Sequence, residues 1–318
     1  MSPAARAAIT ADRWQEDSAS YRGQVLGISF EKKIHEEFRS GNRFRFGRNW
    51  QRFLSTVDER RIQQAKQRLE EILGVSSLNN KSFLDIGSGS GLHSLAARRL
   101  GAYVTSFDYD PESVQTTHQL RRMLGFDDRT WKIEVGSVLD SAYLSSLGQF
   151  DVVYSWGVLH HTGAMWQALE NVQPLVKDGG KLYIAIYNDA GKSSRKWLKR
   201  KKTYCGLPSP LKPLYFLWIY TPVELRRMGV LKALGKGRLA QLPATFLAYL
   251  GEWKVYREQR GMSRFHDLVD WIGGYPYEFA KAEDLISFYE RAGFQLQKLA
   301  RNDGTGNHEL VFVKGRAS

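Results

Sequence analysis

The rhythm of apolar and polar positions changes three times along the chain. Between Thr56 and Gly74 apolar residues recur at helical spacing, with Val57, Ile62, Ala65, Leu69, Ile72 and Leu73 on one face. Thr56 followed by Glu59 reads as a capping box, and Gly74 as the stop. From Lys81 onward, short apolar runs alternate with amphipathic ones. Ser82–Ile86 reads as a strand, Leu92–Leu100 as a helix ended by Gly101, and Tyr103–Phe107 as the next strand. Asp110-Pro111-Glu112 opens another helix, with Asp as N-cap and Pro at the first position, and Gly125 closes it. Trp131–Val135, Phe150–Ser155 and Lys181–Tyr187 read as further strands, the last preceded by a helix over Met165–Val176. Such alternation predicts a parallel sheet covered by helices on both faces.

The alternation stops between about residues 190 and 280, where no strand rhythm is visible. It resumes with a helix at Ala282–Arg291 and two closing strands, Gln295–Ala300 and Glu309–Val313, around the turn Asn302–Gly306. A final antiparallel hairpin on a parallel sheet is a feature that dinucleotide-binding folds usually lack. The expected fold is therefore α/β and Rossmann-like, with seven strands. Its core spans 80–190 and 281–318, an N-terminal helical cover spans 1–79, and an insertion spans 191–280.

Charge sharpens this division. The net charge is +13, from 46 Lys and Arg against 33 Asp and Glu. Between Lys192 and Arg238 there are 13 basic residues and one acid, Glu224, so nearly all the excess belongs to the insertion. The single cysteine, Cys205, rules out an internal disulfide or a multi-cysteine zinc site. The N-terminal stretch has no apolar signal-peptide core, and Leu214–Tyr220 falls far short of the roughly 20 residues of a spanning helix. We expect a cytoplasmic protein, soluble or peripheral at the membrane.

The strongest chemical signal is Asp85-Ile-Gly87-Ser-Gly89-Ser-Gly91, where the first strand turns into a helix. Glycines at this turn permit positive φ and close approach of the backbone to a ligand. Asp108 ends the next strand, 21 residues after Gly87, where a carboxylate can accept hydrogen bonds from both ribose hydroxyls. A nicotinamide enzyme would place its third glycine one position beyond Gly91, and an acid at Asp85 would oppose a pyrophosphate. S-adenosylmethionine carries an ammonium and a sulfonium and no phosphate, so Asp85 suits it electrostatically.

These segments resemble class I S-adenosylmethionine-dependent methyltransferases. Leu84-Asp-Ile-Gly-Ser-Gly-Ser-Gly91, Ser106-Phe-Asp-Tyr-Asp110, Glu134-Val-Gly-Ser-Val-Leu-Asp140 and Phe150-Asp-Val-Val-Tyr-Ser-Trp-Gly-Val-Leu-His-His161 occur in that family's order. The resemblance covers about residues 50–190 and 275–315. It is closest to the ubiquinone-biosynthesis O-methyltransferase group and its relatives in secondary-metabolite and surface-polysaccharide pathways. It implies a seven-stranded sheet with a reversed final hairpin. S-adenosylmethionine would be the donor and S-adenosylhomocysteine the product. Carried over by position, Asp85, Gly87, Gly89 and Gly91 would surround the methionine part. Asp108 would hold the ribose, with Tyr109 beside it in the donor site. Ser137 and Val138 would flank the adenine, and Ser155 and Trp156 would meet the methionine part again. The ubiquinone enzymes carry an acid before their histidine; here the residues are Val158-Leu-His-His161, and no metal-ligand set is read.

Methyl transfer is an in-line displacement, so positioning supplies much of the rate, and a hydroxyl acceptor also calls for a general base. His161, with His160 beside it, is the candidate base just past the fourth strand; the competing role is bracing that loop through backbone hydrogen bonds. Tyr187, Asn188 and Asp189 end the fifth strand near the same crevice, where they could equally be turn residues, and His308 reads as structural. Ser155-Trp-Gly-Val is not the Asn/Asp-Pro-Pro-aromatic tetrapeptide of base-methylating enzymes. The insertion joins the basic run Lys192–Lys202, containing Trp197, to the apolar-aromatic stretch Pro213–Tyr220. It admits three readings. One is an element meeting anionic membrane through 192–238 or enclosing a lipid-linked acceptor. Another is an RNA-binding surface, and the last is a helical lid with a solvated basic face. His266, Asp267, Asp270, Tyr275 and Tyr277 are further candidates for the acceptor site. The expected function is methylation of oxygen on a small or lipid-linked metabolite such as a quinone precursor, saccharide or secondary metabolite. An RNA methyltransferase and a non-catalytic donor-binding regulator are the alternatives.

Overall fold

The computed structural model describes residues 57–227 and 271–316, together with residues 34, 36–40, 43, 44, 46, 47, 50 and 54. Packing separates residues 1–41 from residues 42–318 as two compact units. Within the first, residues 36–39 are helical and the Ser40 hydroxyl donates to the Glu37 carbonyl at 3.2 Å. Everything that follows belongs to the second.

Helix α1 (Glu59–Leu73) buries Ile62, Ala65, Leu69, Ile72 and Leu73 of the face expected from spacing, whereas Val57 lies before the helix and is only partly buried. Its cap differs from the expectation. Asp58 occupies the N-cap, its carboxylate accepting from the Arg61 amide at 2.9 Å, and Thr56 lies outside the described residues. An ionised N-cap acid answers both the orphan amides and the helix dipole. Gly74 closes the helix in the left-handed region at φ 63°.

Seven strands follow: β1 (Ser82–Ile86), β2 (Tyr103–Asp108), β3 (Trp131–Val135), β4 (Phe150–Trp156), β5 (Val176–Tyr187), β6 (Phe294–Ala300) and β7 (Asn307–Lys314). They form one sheet in the order β3-β2-β1-β4-β5-β7-β6. The first five run parallel, and β7 lies antiparallel between β5 and β6. Helices α2 (Leu92–Arg99), α3 (Pro111–Met123), α4 (Ser141–Leu147), α5 (Met165–Asn171) and α8 (Ala282–Arg291) cover the sheet.

Alternate strand residues feed two cores on opposite faces of the sheet. Leu84, Val153, Ile184 and Leu310 pack with Leu169, Leu285 and Tyr289. Phe83, Val152, Tyr183 and Val311 pack with Leu69, Leu95, Leu120 and Trp131. Two elements depart from the pattern reading. The helix expected over Met165–Val176 ends at Asn171, because Pro174 holds residues 173–175 in a 3₁₀ turn and Val176 already opens β5. Helix α4, capped by Asp140 accepting from the Tyr143 amide at 3.0 Å, was not apparent: its seven residues bury only Leu144.

The start of the insertion folds as α6 (Lys192–Gly206) and α7 (Lys212–Arg227), with no strand among its described residues. Phe216, Ile219 and Ile272 form a small core there, flanked by Trp197, Tyr204, Tyr215 and Trp271. Among the described residues no helix is long and apolar enough to cross a membrane. The parallel strands end together at Ile86, Asp108, Val135, Trp156 and Tyr187, the carboxyl edge at which ligands bind in such sheets.

Candidate active site

The turn from β1 to α2 is built on three glycines in the left-handed region: Gly87 (φ 78°), Gly89 (φ 55°) and Gly91 (φ 78°). Each also sits against another part of the chain. A Cβ would lie 2.4 Å from Val158 Cγ2 at Gly87, 3.0 Å from the Trp50 ring at Gly89 and 2.8 Å from Thr117 Cγ2 at Gly91. No side chain fits these positions. Ser88 and Thr117 share a hydroxyl hydrogen bond at 3.1 Å, fixing the loop to α3.

Two carboxylates flank this loop. Asp85 is buried and accepts from the Ser94 hydroxyl; Ser94 in turn lies 2.7 Å from Ser106 Oγ, which accepts from Trp131 Nε1 at 2.8 Å. Asp108, half-buried, accepts from the Gly89 amide through Oδ2 at 2.9 Å and from the Asp110 amide through Oδ1 at 2.8 Å. Burial pushes both carboxyls up to about 7, and neighbouring acids raise Asp108 further against its backbone donors. No lysine or arginine contributes to either shift. Each Asp108 oxygen has a second lone-pair direction beyond its amide, so the group retains room for two hydroxyl donors. A cationic, hydroxyl-bearing ligand fits this donor set.

The remaining residues expected at the donor site divide. The Ser155 hydroxyl donates to the Ile86 carbonyl at 3.2 Å, tying β4 to the start of the glycine loop. Tyr109 follows Asp108, with the Arg43 guanidinium 4.4 Å above its ring. Ser137 accepts from the Leu139 amide at 3.1 Å, and Val138 is buried with its carbonyl accepting from Asn171 at 2.9 Å. The Trp156 side chain stands apart. Strand alternation turns it to the opposite side from Ser155, where its indole donates to Glu309 at 3.4 Å. There it lines a cavity of about 140 Å³ with Arg68, His93, Tyr154 and Tyr183.

On the acceptor side, a 3₁₀ turn at Leu159–His161 carries the two histidines. His160 is fully buried: its Nδ1 accepts from the Tyr187 amide at 3.3 Å, its ring lies 3.9 Å from Tyr187, and burial drives its pKa well down. His161 Nδ1 lies 2.5 Å from the Pro276 carbonyl oxygen. A carbonyl only accepts, so this contact puts the proton on Nδ1 and leaves Nε2 with a lone pair. Burial lowers His161 to about 3, which keeps the imidazole neutral. The loop carrying Pro276 is fixed on both sides. Glu278 donates its amide to the His160 carbonyl at 2.9 Å, and its carboxylate accepts from the Met165 amide at 3.0 Å.

Other acceptor-side candidates are accounted for by the same packing. Tyr277 is buried 5.0 Å from the Tyr187 ring, and the Tyr275 carbonyl accepts from the Phe44 amide at 3.0 Å. Asn188 donates to the carbonyls of Asn302 and Gly304 and meets His308 Nε2 at 2.8 Å, so both residues brace the β6–β7 turn. Asp189 accepts from the Gly191 amide at the start of α6. Lys201 is buried in an aromatic box, 4.4 Å from the Trp271 centroid and 4.8 Å from that of Tyr277, and donates to the Trp271 carbonyl. His266, Asp267 and Asp270 lie outside the described residues.

Pattern reading missed the residues that contact both groups of loops. Gly47 donates its amide to Asp110 Oδ2 at 2.9 Å, Trp50 covers Gly89, and Phe46 lies 5.2 Å from the His161 ring. The only trace in the sequence was the basic-aromatic composition of Gly41–Trp50.

The sheet order, the reversed final hairpin and the acid-flanked glycine turn together define a class I, S-adenosylmethionine-dependent methyltransferase. The methyltransferase-domain family matches residues 77–236, half of the chain, and the chain belongs to that family. It is 34% identical over 123 residues to a ubiquinone biosynthesis O-methyltransferase of Xanthomonas campestris pv. campestris, a match covering 38% of this chain and 49% of that protein. A protein of the same description from Nitrosococcus oceani is 32% identical over 128 residues, covering 40% and 52%. The chain thus spans about half the length of the curated relatives it matches. Among solved structures, PKMT2 from Rickettsia typhi in complex with AdoHcy superposes with a TM-score of 0.52 at 10% identity, covering 79% of this chain and 52% of that one. This last likeness concerns the fold alone.

Proposed function

We propose that this protein transfers the methyl group of S-adenosylmethionine to an oxygen of a small or lipid-linked metabolite. The observation that carries the reading is the pair of acids, buried Asp85 and half-buried Asp108, beside a glycine turn and without a cation among the groups that shift them. An ammonium and sulfonium would favour their ionised forms, and ribose hydroxyls would fill the open acceptor positions on Asp108. When bound, the donor supplies an electrophilic methyl group. The chain's own part is to hold it at the carboxyl edge and orient the acceptor behind it. His161, its Nδ1–H committed to Pro276, presents Nε2 as acceptor for a hydroxyl proton. The two relatives reported above, named as O-methyltransferases, support oxygen as the acceptor atom.

Calorimetry tests the donor reading. Wild-type protein is expected to bind S-adenosylmethionine and S-adenosylhomocysteine. Asp108→Ala should weaken both by on the order of 100-fold, because two charge-assisted hydrogen bonds are lost. Unchanged affinity in that variant would sink the ribose assignment.

A second observation favours contact with an anionic membrane. Leu211, Leu214, Leu217 and Trp218 are exposed at and along one side of α7, opposite buried Phe216 and Ile219. On α6, which packs beside it, Lys192, Arg195, Lys196, Lys199 and Lys202 are exposed. Apolar side chains beside clustered cations suit the headgroup region of an anionic bilayer. Co-sedimentation with phosphatidylserine vesicles, but not with neutral ones, is the expected result. Tight RNA binding without vesicle binding would reverse the choice of surface.

A further inference from the structure

Arg43, Phe44, Phe46, Gly47 and Trp50 contact loops on both sides of the proposed site. At one end, Gly47 donates to Asp110 and Trp50 rests on Gly89, both in the donor half. At the other, Arg43 donates to the carbonyls of His161 and Thr162, each at 3.2 Å, while Phe46 faces the His161 ring. The same Arg43 stacks over Tyr109, so one guanidinium joins the donor loop to the acceptor loop. The Phe44 amide bonds to Tyr275 in the loop that orients His161.

The fit depends on missing side chains. A Cβ at Gly47 would come 2.6 Å from Glu112 Cβ, and one at Gly273 would come 2.3 Å from Phe44 Cε2. With Gly89 under Trp50, a glycine occurs at three places where this segment meets the body: one on the segment, one on the donor loop and one on the acceptor side. We propose that Arg43, Phe44, Phe46, Gly47 and Trp50 belong to a strap that completes the donor site and retains the donor and its product, with Arg43 as a positioning residue coupling strap closure to the His161 loop. The proposal rests on the donor reading above.

Gly47→Ala and Gly273→Ala unseat opposite ends of the strap without removing any group assigned to donor or acceptor. The measurement is the dissociation rate of S-adenosylhomocysteine by stopped-flow displacement. Both variants should release it on the order of tenfold faster, the loss of about one or two hydrogen bonds, while Gly206→Ala, whose Cβ would meet nothing within 4 Å, should match wild type. Arg43→Gln should release faster as well, and Arg43→Lys should restore only part of the retention, because it lacks the planar fork that reaches two carbonyls. In wild type, S-adenosylhomocysteine should also slow tryptic cleavage after Arg43. Folded variants with unchanged release, or a wild-type strap cut equally fast with and without ligand, overturn the strap alone. A wild type that binds no S-adenosylhomocysteine overturns the donor reading and the strap with it.

Discussion

Asp85 faces a conflict between stability and binding. Its native pKa of about 7 stands above the ordinary 3.8, so between those values the folded protein binds more protons than the unfolded chain. Stability from this group therefore falls as pH rises through that window, and the full cost remains above it. Asp85→Asn should stabilise the donor-free protein by on the order of 2–4 kcal/mol near pH 8 and by little near pH 4. On the proposed donor reading the same substitution should weaken donor binding, because it removes the charge that would face the ammonium and sulfonium. Thermal melts at the two pH values, paired with calorimetry, check both signs; a variant destabilised near pH 8 refutes the conflict. The positions of the acids and glycines were legible because they follow from spacing: strand end, turn, strand end. Trp156 was not, since adjacency to Ser155 in sequence places the two side chains on opposite faces of β4. His161 was picked out by position, but the partner that sets its tautomer, Pro276, is 115 residues away.

At the scale of elements, periodicity found what buries a regular face. Helix α1 buries every expected apolar residue from Ile62 on, while Val57 precedes the helix and is partly buried, and Leu69 is 1% exposed between two layers. Leu69→Ala should cost about 2–5 kcal/mol, the usual toll of a cavity in a packed core. Leu214→Ala, at 65% exposure on α7, should change stability by no more than about 0.5 kcal/mol. Urea unfolding of the two variants separates a core leucine from a surface one of the same chemistry, and equal losses would contradict the burial assignment. Helix α4 escaped detection because seven residues with one buried position carry no period. The end of α5 was misjudged for a different reason: apolar residues continue through Leu175 and Val176 although Pro174 has already broken the helix.

Across the whole molecule, the contrast between a nearly neutral remainder and a strongly basic stretch was visible from charge alone, and α7 within that stretch also carries exposed apolar side chains. Vesicle binding through this region should fall steeply as salt rises from about 0.1 to 1 M, over which the Debye length shrinks from about 10 to 3 Å. Binding that resists such salt would shift the weight to Leu214, Leu217 and Trp218. The strap could not be read from the sequence: Gly47 and Asp110 are 63 residues apart, and Arg43 and His161 are 118. Contacts of that range follow only once the sheet has brought the loops together. The antiparallel strand β7 carries a consequence of another kind. It occupies the place beside β5, pairing Tyr187 with Asn307 and Lys181 with Val313. During synthesis, β5 emerges from the ribosome more than a hundred residues before its partner does. Until then its open edge is a template for other chains, and closure of the sheet awaits β7. Newly made protein should therefore depend on chaperones longer than its order of parallel strands would require.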